Sequence, residues 1–324
     1  MESNNLEPKP AFEERMRLLL DGEKDYENFL KICYERPVNS IRVNTLKISV
    51  EELKNKLEKK GWKINQPFKD FPEIFIVENK LLPGEIGKSE EHLLGYFYVQ
   101  EISSMMPLIL LNPSEEERIL DLCASPGSKT TQASAMMKNS GTLIANDGSL
   151  GRFLILCANL ERCGASNVFC LQKEGSYLCK EFEESDFRFD KILLDAPCSG
   201  EGIIRSNPKT FLMWNEKQFG FFARTQRKLS ESAMRILKVG GEMVYSTCTH
   251  APEENEEIIQ NLLDKFDIKI EKTKLPLRTR QGISSWKEKK FSNEMKNCHR
   301  IYPQDNNTEG FFLCKIKKLS DKEK

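Results

Sequence analysis

The chain has 324 residues, enough for one large domain or two ordinary ones with a substantial core. Its 49 Lys and Arg balance 49 Asp and Glu, which argues against a wholly basic nucleic-acid coat while leaving local patches open. Ten scattered cysteines behind a polar, acidic start do not form a disulfide framework, so a soluble protein of a reducing, cytoplasmic setting is expected, with no membrane partner.

Residues 1–10 read as a loose terminus. From Ala11 to about Arg36, the spacing of Phe12, Met16, Leu19, Leu20, Phe29, Leu30 and Ile32 predicts helices broken near Asp21-Gly22 and ended by Pro37. SIRVNTLK (40–47) reads as a strand. SVEELKNKLEKKGW (49–62) reads as a helix, with Ser49 and Glu52 forming a capping box and Gly61 stopping it. EIFIVEN (73–79) is a second strand. This β-α-β order predicts a small α+β module of RRM-like pattern. No aromatic RNP signature is present, so it is as readily a packing domain as an RNA reader. Residues 93–111, with Gln100, Ser103 and Ser104, are expected to form a linker helix, and MMPLILL (105–111) is too short to span a bilayer. Pro113 and the run SEEE (114–117) set the expected boundary between residues 1–112 and a catalytic domain at 113–318, with 319–324 as a charged tail.

From Arg118 strands and helices alternate: RILDLCA, SKTTQASAMMK, TLIANDG, RFLILCANLERCG and NVFCLQK. An irregular stretch follows, then KILLDAP, a long helix through 215–238, GEMVYSTC and a helix at 253–266. Such alternation implies parallel βαβ units, and about seven strands fit a doubly wound α/β sheet. FFLCKIKK (311–318) reads as a late strand, expected at an antiparallel edge.

Three strand ends carry chemistry, because ligands of open α/β sheets bind at the carboxyl edge. DLCASPGSKT (121–130) superficially resembles a phosphate loop, but Ser128 separates Gly127 from Lys129 and Leu122 fills the first glycine position. What remains is a turn and a helix start able to offer backbone N–H groups to a ligand. That broken pattern argues against a nucleotide hydrolase. One strand later, Asp147 stands where an acid commonly accepts ribose hydroxyls. KILLDAPCSG (191–200) and GGEMVYSTCT (240–249) each run from an apolar strand into a cysteine, Cys198 and Cys248. A thiolate is a strong nucleophile, and Asp195 precedes Cys198 by three residues in one loop. With three histidines and no CxxC pair, no metal is expected.

CASPGSKT, ANDGSLGR, DAPCSG and STCT, in this order, resemble the Sun/NOP family of RNA cytosine-C5 methyltransferases, including its archaeal-type tRNA-directed members. RVNTLK near the front and HRIYP with EGFFLCKIKK at the end extend the resemblance over roughly residues 40–318. It implies a class I, Rossmann-like sheet that binds S-adenosylmethionine. Cys123, Ala124, Ser125, Pro126, Gly127, Ser128 and Lys129 would cradle the methionine part, Asp147 the ribose, with Arg152 nearby and Glu174 toward the adenine. Asp195 would also border the cofactor. Glu174 stands where the family usually has Asp, and Ser128 replaces a commoner glycine. In the family's chemistry Cys248 would be the nucleophile that adds to carbon 6 of the base. Cys198 would serve product release, Asp195 would hold the N3 and amino edge, and Lys129 would orient the site. Phe211 and Met213 either line the site or pack in the core.

The target cytidine must be flipped or unpaired to reach these groups. Residues 203–240 carry eight Lys/Arg against two Asp/Glu, and 272–300 carry nine against two. Arg205, Lys209, Arg224 and Arg227 are expected to meet phosphates. The expected substrate is RNA, tRNA before rRNA, and the expected state a monomer. The alternative is a non-catalytic RNA-binding protein on the same scaffold.

Overall fold

The structure, a computed structural model, describes residues 6–79, 81 and 84–324, so residues 1–5 of the expected loose terminus lie outside the described residues. Helices α1 (Pro10–Leu19) and α2 (Glu23–Cys33) part at Gly22, as the Asp21-Gly22 break predicts. Their apolar stripes do not face the N-terminal sheet. Phe12, Met16, Tyr26 and Phe29 pack with Phe211, Trp214, Phe219 and Tyr302 from the second half of the chain.

The N-terminal sheet contains β1 (Asn39–Val43), β2 (Ile64–Asn65), β3 (Ile74–Val77) and β4 (Phe97–Val99) in the antiparallel order β2-β3-β1-β4. Helix α3 (Val50–Lys59) forms the capping box between Ser49 and Glu52, and short helices α4 (Glu85–Lys88) and α5 (Glu90–Leu93) lead into β4. Strand alternation decides what β1 does. Ile41 and Val43 face the module's own core with Leu53 and Phe75. Ser40 and Arg42 point the other way, and Arg42 donates to Ser128 O at 2.8 Å and Thr131 Oγ1 at 2.9 Å across the domain junction.

Residues 93–111 do not form one linker helix. The β-prone run Phe97–Val99 pairs with the free edge of β1, and only then does α6 (Ile102–Leu111) begin, with Glu101 as N-cap. This helix is apolar on nearly every side because it is buried on nearly every side. Met105, Leu108 and Leu111 share a core with Ile119, Leu193 and Val244 of the large sheet, so the segment expected to close the first module packs with the second.

The large sheet is built by β5 (Arg118–Asp121), α7 (Ser128–Met136), β6 (Thr142–Asn146), α8 (Leu150–Cys163), β7 (Val168–Leu171), α9 (Gly175–Glu184) and β8 (Phe189–Asp195). There follow a 3-10 turn (Glu201–Ile203), α10 (Thr210–Met213), α11 (Lys217–Ile236), β9 (Leu237–Thr247), α12 (Glu256–Lys265) and β10 (Phe266–Ile270). The chain closes with β11 (Arg280–Gln281), the small hairpin β12 (Ser285–Trp286) and β13 (Lys289–Lys290), β14 (His299–Ile301), α13 (Pro303–Asn306) and β15 (Phe311–Glu323). The strand order is β11-β14-β15-β9-β8-β5-β6-β7, with β10 also on β15; β5 to β9 run parallel and β15 antiparallel. This is the Rossmann-like α/β sheet expected.

Three local readings change. The stretch after β7, expected to be irregular, contains α9, whose start Glu174 caps by accepting the Tyr177 N–H at 2.8 Å. Strand β15 is not an edge: it lies between β9 on one side and β14 and β10 on the other, which buries Phe312, Leu313 and Cys314 completely. Its continuous apolar run is the signature of burial on both faces. Finally, β15 continues through Glu323, paired opposite Phe266, so residues 319–323 are strand rather than tail. No helix of the described residues is long and apolar enough to cross a membrane.

Candidate active site

The site forms where β5, β6, β8 and β9 end. Backbone sterics shape its first turn. Gly127 has φ +101°, and a Cβ there would stand 3.1 Å from Leu156 Cδ1, so the chain can enter α7 this tightly only as glycine. The side chain of Asn146 staples neighbouring strand ends: its Nδ2 donates to Leu122 O (3.2 Å) and Lys173 O (3.1 Å), and its Oδ1 accepts the Lys173 N–H (3.1 Å).

A cleft of ≈730 Å³ opens along these ends, lined by Cys123, Ser125, Asp147, Arg152, Glu174 and Asp195 among others. Asp147 is nearly buried; it accepts the Ser149 N–H at 3.0 Å and pairs with Arg152 Nε at 3.1 Å. Arg152 also ties itself to the turn, through Ser125 O at 2.8 Å. Glu174 lines the cleft while its Oε2 is engaged by Tyr177 N and Ser176 Oγ. Of its charged residues, three are acidic (Asp147, Glu174, Asp195) and one is basic (Arg152), a balance suited to a cationic nucleoside and poor for a polyphosphate. The residues therefore fit S-adenosylmethionine. Cys123, Ser125, Asp147 and Asp195 line the cleft that would hold it. Burial, reinforced by the charges of Asp121, Asp195 and Asp147, pushes the Cys123 thiol well above its usual range, which favours the protonated thiol.

The predicted cradle 123–129 divides between two spaces. Cys123 and Ser125 line the cleft, and Ala124 closes the turn through its N–H on Asn146 O at 2.8 Å. Pro126, Ser128 and Lys129 face a second chamber of ≈430 Å³, which is shared with Glu101, Ser104 and Phe311. Asp195 and Cys248 line both spaces. Two bonds fix the Asp195 carboxylate in the wall between them. Lys129 Nζ donates to Oδ2 at 2.7 Å, and Ser246 Oγ donates to Oδ1 at 2.7 Å. Lys129 is in turn steadied by Ser104 Oγ at 3.0 Å.

The two cysteines, 50 residues apart in sequence, meet with Sγ atoms 3.3 Å apart. The hydrogen bond to Cys248, then burial, pushes the Cys198 thiol well above its ordinary range, and either sulfur can donate across the contact. Behind them, Ser199 Oγ and Thr249 Oγ1 share a bond of 2.9 Å. Among the described residues, no group of His, Cys, Asp and Glu is arranged to hold a metal ion.

A model of the 16S rRNA methyltransferase RsmB/F family matches residues 108–317, and one for the N-terminal domain of 16S rRNA methyltransferase RsmF matches residues 9–102. The chain belongs to the RsmB/F family. That makes it a member of the S-adenosylmethionine-dependent RNA methyltransferases. It is 42% identical to the tRNA (cytosine(49)-C(5))-methyltransferase of Pyrococcus abyssi over 91% of this chain and 92% of that protein. It is 38% identical to the ribosomal RNA small subunit methyltransferase F of Vibrio campbellii over 96% of this chain but 63% of that protein. A methyltransferase homolog protein from Pyrococcus horikoshii superposes with a TM-score of 0.84 at 34% identity, covering 97% of this chain and 96% of that one. NSun6 from the same organism, solved with the S-adenosylmethionine analogue SFG, gives 0.82 at 26% identity, covering 97% and 99%.

Other sequence-predicted residues separate on inspection. Arg205 is buried and spends its guanidinium on Thr308 O (2.8 Å), Asn307 Oδ1 (2.7 Å) and Arg36 O (3.0 Å), so it is a structural tie and not a phosphate contact. Lys209, Arg224 and Arg227 are exposed. In the second basic run Arg280 is half-buried and Arg300 buried, paired with Asp305 and Glu256. Phe211 is core, set edge-on against Phe12, whereas Met213 is exposed and borders the cleft. Arg42, Ser104 and Ser246 were not singled out as site residues from sequence. The signal for Arg42 was available: a charge at the centre of an apolar strand needs buried partners.

Proposed function

We propose that this protein transfers a methyl group from S-adenosylmethionine to carbon 5 of a cytosine in RNA, tRNA first, through a covalent bond from Cys248 to carbon 6. The observation that carries the reading is the wall between the two chambers, where Asp195, Cys248 and their fixing partners face the cofactor cleft on one side and a base-sized space on the other. The cofactor supplies an electrophilic methyl group. Cys248 sulfur adds to carbon 6, which gives carbon 5 enamine character and lets it take the methyl group. Asp195, held by Lys129 and Ser246, presents its carboxyl group to the N3 and amino edge of the base, where it would accept from the amino group and share a proton with N3 as negative charge develops there. Loss of the carbon 5 proton to a solvent base and departure of the Cys248 sulfur as thiolate complete the reaction. Cys198, whose Sγ lies 3.3 Å from that of Cys248, serves the departure.

The preference for tRNA follows from extent of likeness, since the chain spans 92% of the Pyrococcus tRNA enzyme but 63% of the Vibrio rRNA enzyme. Exposed Lys209, Arg224 and Arg227 beside the cleft suit phosphate contacts. The test uses labelled methyl donor with unmodified tRNA or 16S rRNA, and wild type, Cys248→Ala and Cys198→Ala on a denaturing gel. We expect labelled 5-methylcytidine from wild type. Cys248→Ala should lose at least ~10³-fold in rate and form no adduct, while Cys198→Ala should trap one. An adduct in Cys248→Ala exchanges the two roles, label confined to 16S rRNA overturns the tRNA assignment, and no label in either RNA favours the non-catalytic reading.

A further inference from the structure

The turn carrying Cys198 is held by a closed set of buried hydrogen bonds. Gln226 Nε2, on α11, donates to Pro197 O at 2.9 Å and to Glu254 Oε2 at 2.8 Å. The same Oε2 accepts the Ser199 N–H at 3.0 Å. The backbone is therefore pinned on both sides of Cys198 by one amide and one carboxylate, each with no exposed surface. Tyr245 OH donates to Glu254 O at 2.6 Å and fixes this brace to β9.

Such a brace is an expensive way to hold a turn. Glu254 Oε1 and Gln226 Oε1 are buried without a hydrogen-bond partner, which is costly for each such atom. Burial pushes the Glu254 carboxyl up to about 7. Buried polar groups that are only partly satisfied require a reason, and here the reason lies in what they hold. Cys248 has separate support: Thr247 Oγ1 donates to Asn255 Oδ1 at 2.6 Å, and Asn255 Nδ2 donates to Thr249 O at 2.9 Å. The two sulfurs thus have different nearest supports, which the Ser199–Thr249 bond joins.

We propose that Glu254, acting with Gln226, is a positioning residue that holds the Cys198 sulfur against that of Cys248 and thereby sets the rate of product release, leaving methyl transfer to the support of Cys248. This rests on the cysteine roles proposed above. The test compares Glu254→Ala, Gln226→Leu and Glu254→Gln with Cys198→Ala in single- and multiple-turnover assays using labelled donor and tRNA, with thermal unfolding of each. Glu254→Ala and Gln226→Leu should complete the first transfer within ~3-fold of the wild-type rate, accumulate covalent adduct and slow multiple turnover by ~10-fold or more. Glu254→Gln, whose amide oxygen can accept the Ser199 N–H, should restore release to within ~3-fold. Gln226→Leu keeps the carboxylate and carries the test if Glu254→Ala does not fold. Folded variants that turn over without adduct, or that lose first transfer in step with stability, overturn the proposal. If Cys198→Ala itself traps nothing, the cysteine roles fall and this inference with them; if it traps adduct and the brace variants do not, only the brace is refuted.

Discussion

The two chambers that meet at Asp195 and Cys248 are built in opposite ways. The cofactor cleft takes its Cys123, Asp147 and Glu174 from the ends of successive strands, each a few residues past the strand that positions it. The second chamber takes Ser40 from the N-terminal sheet, Ser104 from the start of α6, Lys129 from α7 and Phe311 from the start of β15. One is local chemistry repeated along a sheet edge; the other exists only when four distant segments pack. Damage to the first should therefore be specific to the cofactor, whereas damage to the second should spread.

The sharpest way to break this contrast is Asp147→Ala. It removes a nearly buried carboxylate from the cleft without touching the second chamber, so affinity for S-adenosylmethionine should fall ~100-fold while RNA affinity stays unchanged. Calorimetric titration with each ligand checks both halves, and an equal loss of RNA binding would erase the distinction. Next comes Arg42→Met. Arg42 is completely enclosed, and burial lowers its pKa to about 10, yet it reaches across the junction to the backbone that opens α7. Its loss leaves buried acceptors without donors, so unfolding free energy should drop by ~3 kcal/mol and cofactor affinity by ~10-fold, although Arg42 does not line the cleft. Denaturant titration and cofactor binding read these two effects, and unchanged cofactor affinity would show the two regions to be independent.

The smallest effect expected is on pH dependence. Burial raises the Asp121 carboxyl from 3.8 to about 7. Folding then favours the protonated form, so this group's contribution to stability is complete below 3.8 and is lost as pH rises through about 7. Asp121→Asn is neutral throughout, and its melting temperature relative to wild type should be higher at pH 8 than at pH 5. A pH-independent difference would show that Asp121 does not titrate in this window.

The same contrast explains what the sequence could reveal. Asp147, Asp195, Cys198 and Cys248 each follow a recognisable strand, so their place at one sheet edge was legible from the alternation of elements. Ser246 and Ser104 carry no such signal, because a serine before a cysteine or at a helix start is ordinary until its hydroxyl is seen on Asp195 or Lys129. Arg205 misled for the complementary reason. Its basic neighbourhood in sequence is exposed, but the turn at Gly202 brings it under Thr308 and Asn307, 103 and 102 residues away. The helix expected over 93–111 and the edge expected for 311–318 failed likewise, since partnership with β1 in one case and with β9 and β14 in the other is a property of packing.

One feature of the wall between the chambers bears on thermodynamics as well as chemistry. The carboxylate of Asp195 borders both spaces and is tied by Lys129 on one oxygen and by Ser246 on the other. A ligand in either space meets a charge and geometry that its counterpart also meets, so the two binding equilibria are expected to be coupled. Linkage makes that coupling symmetric: the factor by which the cofactor changes affinity for RNA is the factor by which RNA changes affinity for the cofactor. A single half-buried carboxylate would thus make the two spaces one thermodynamic unit.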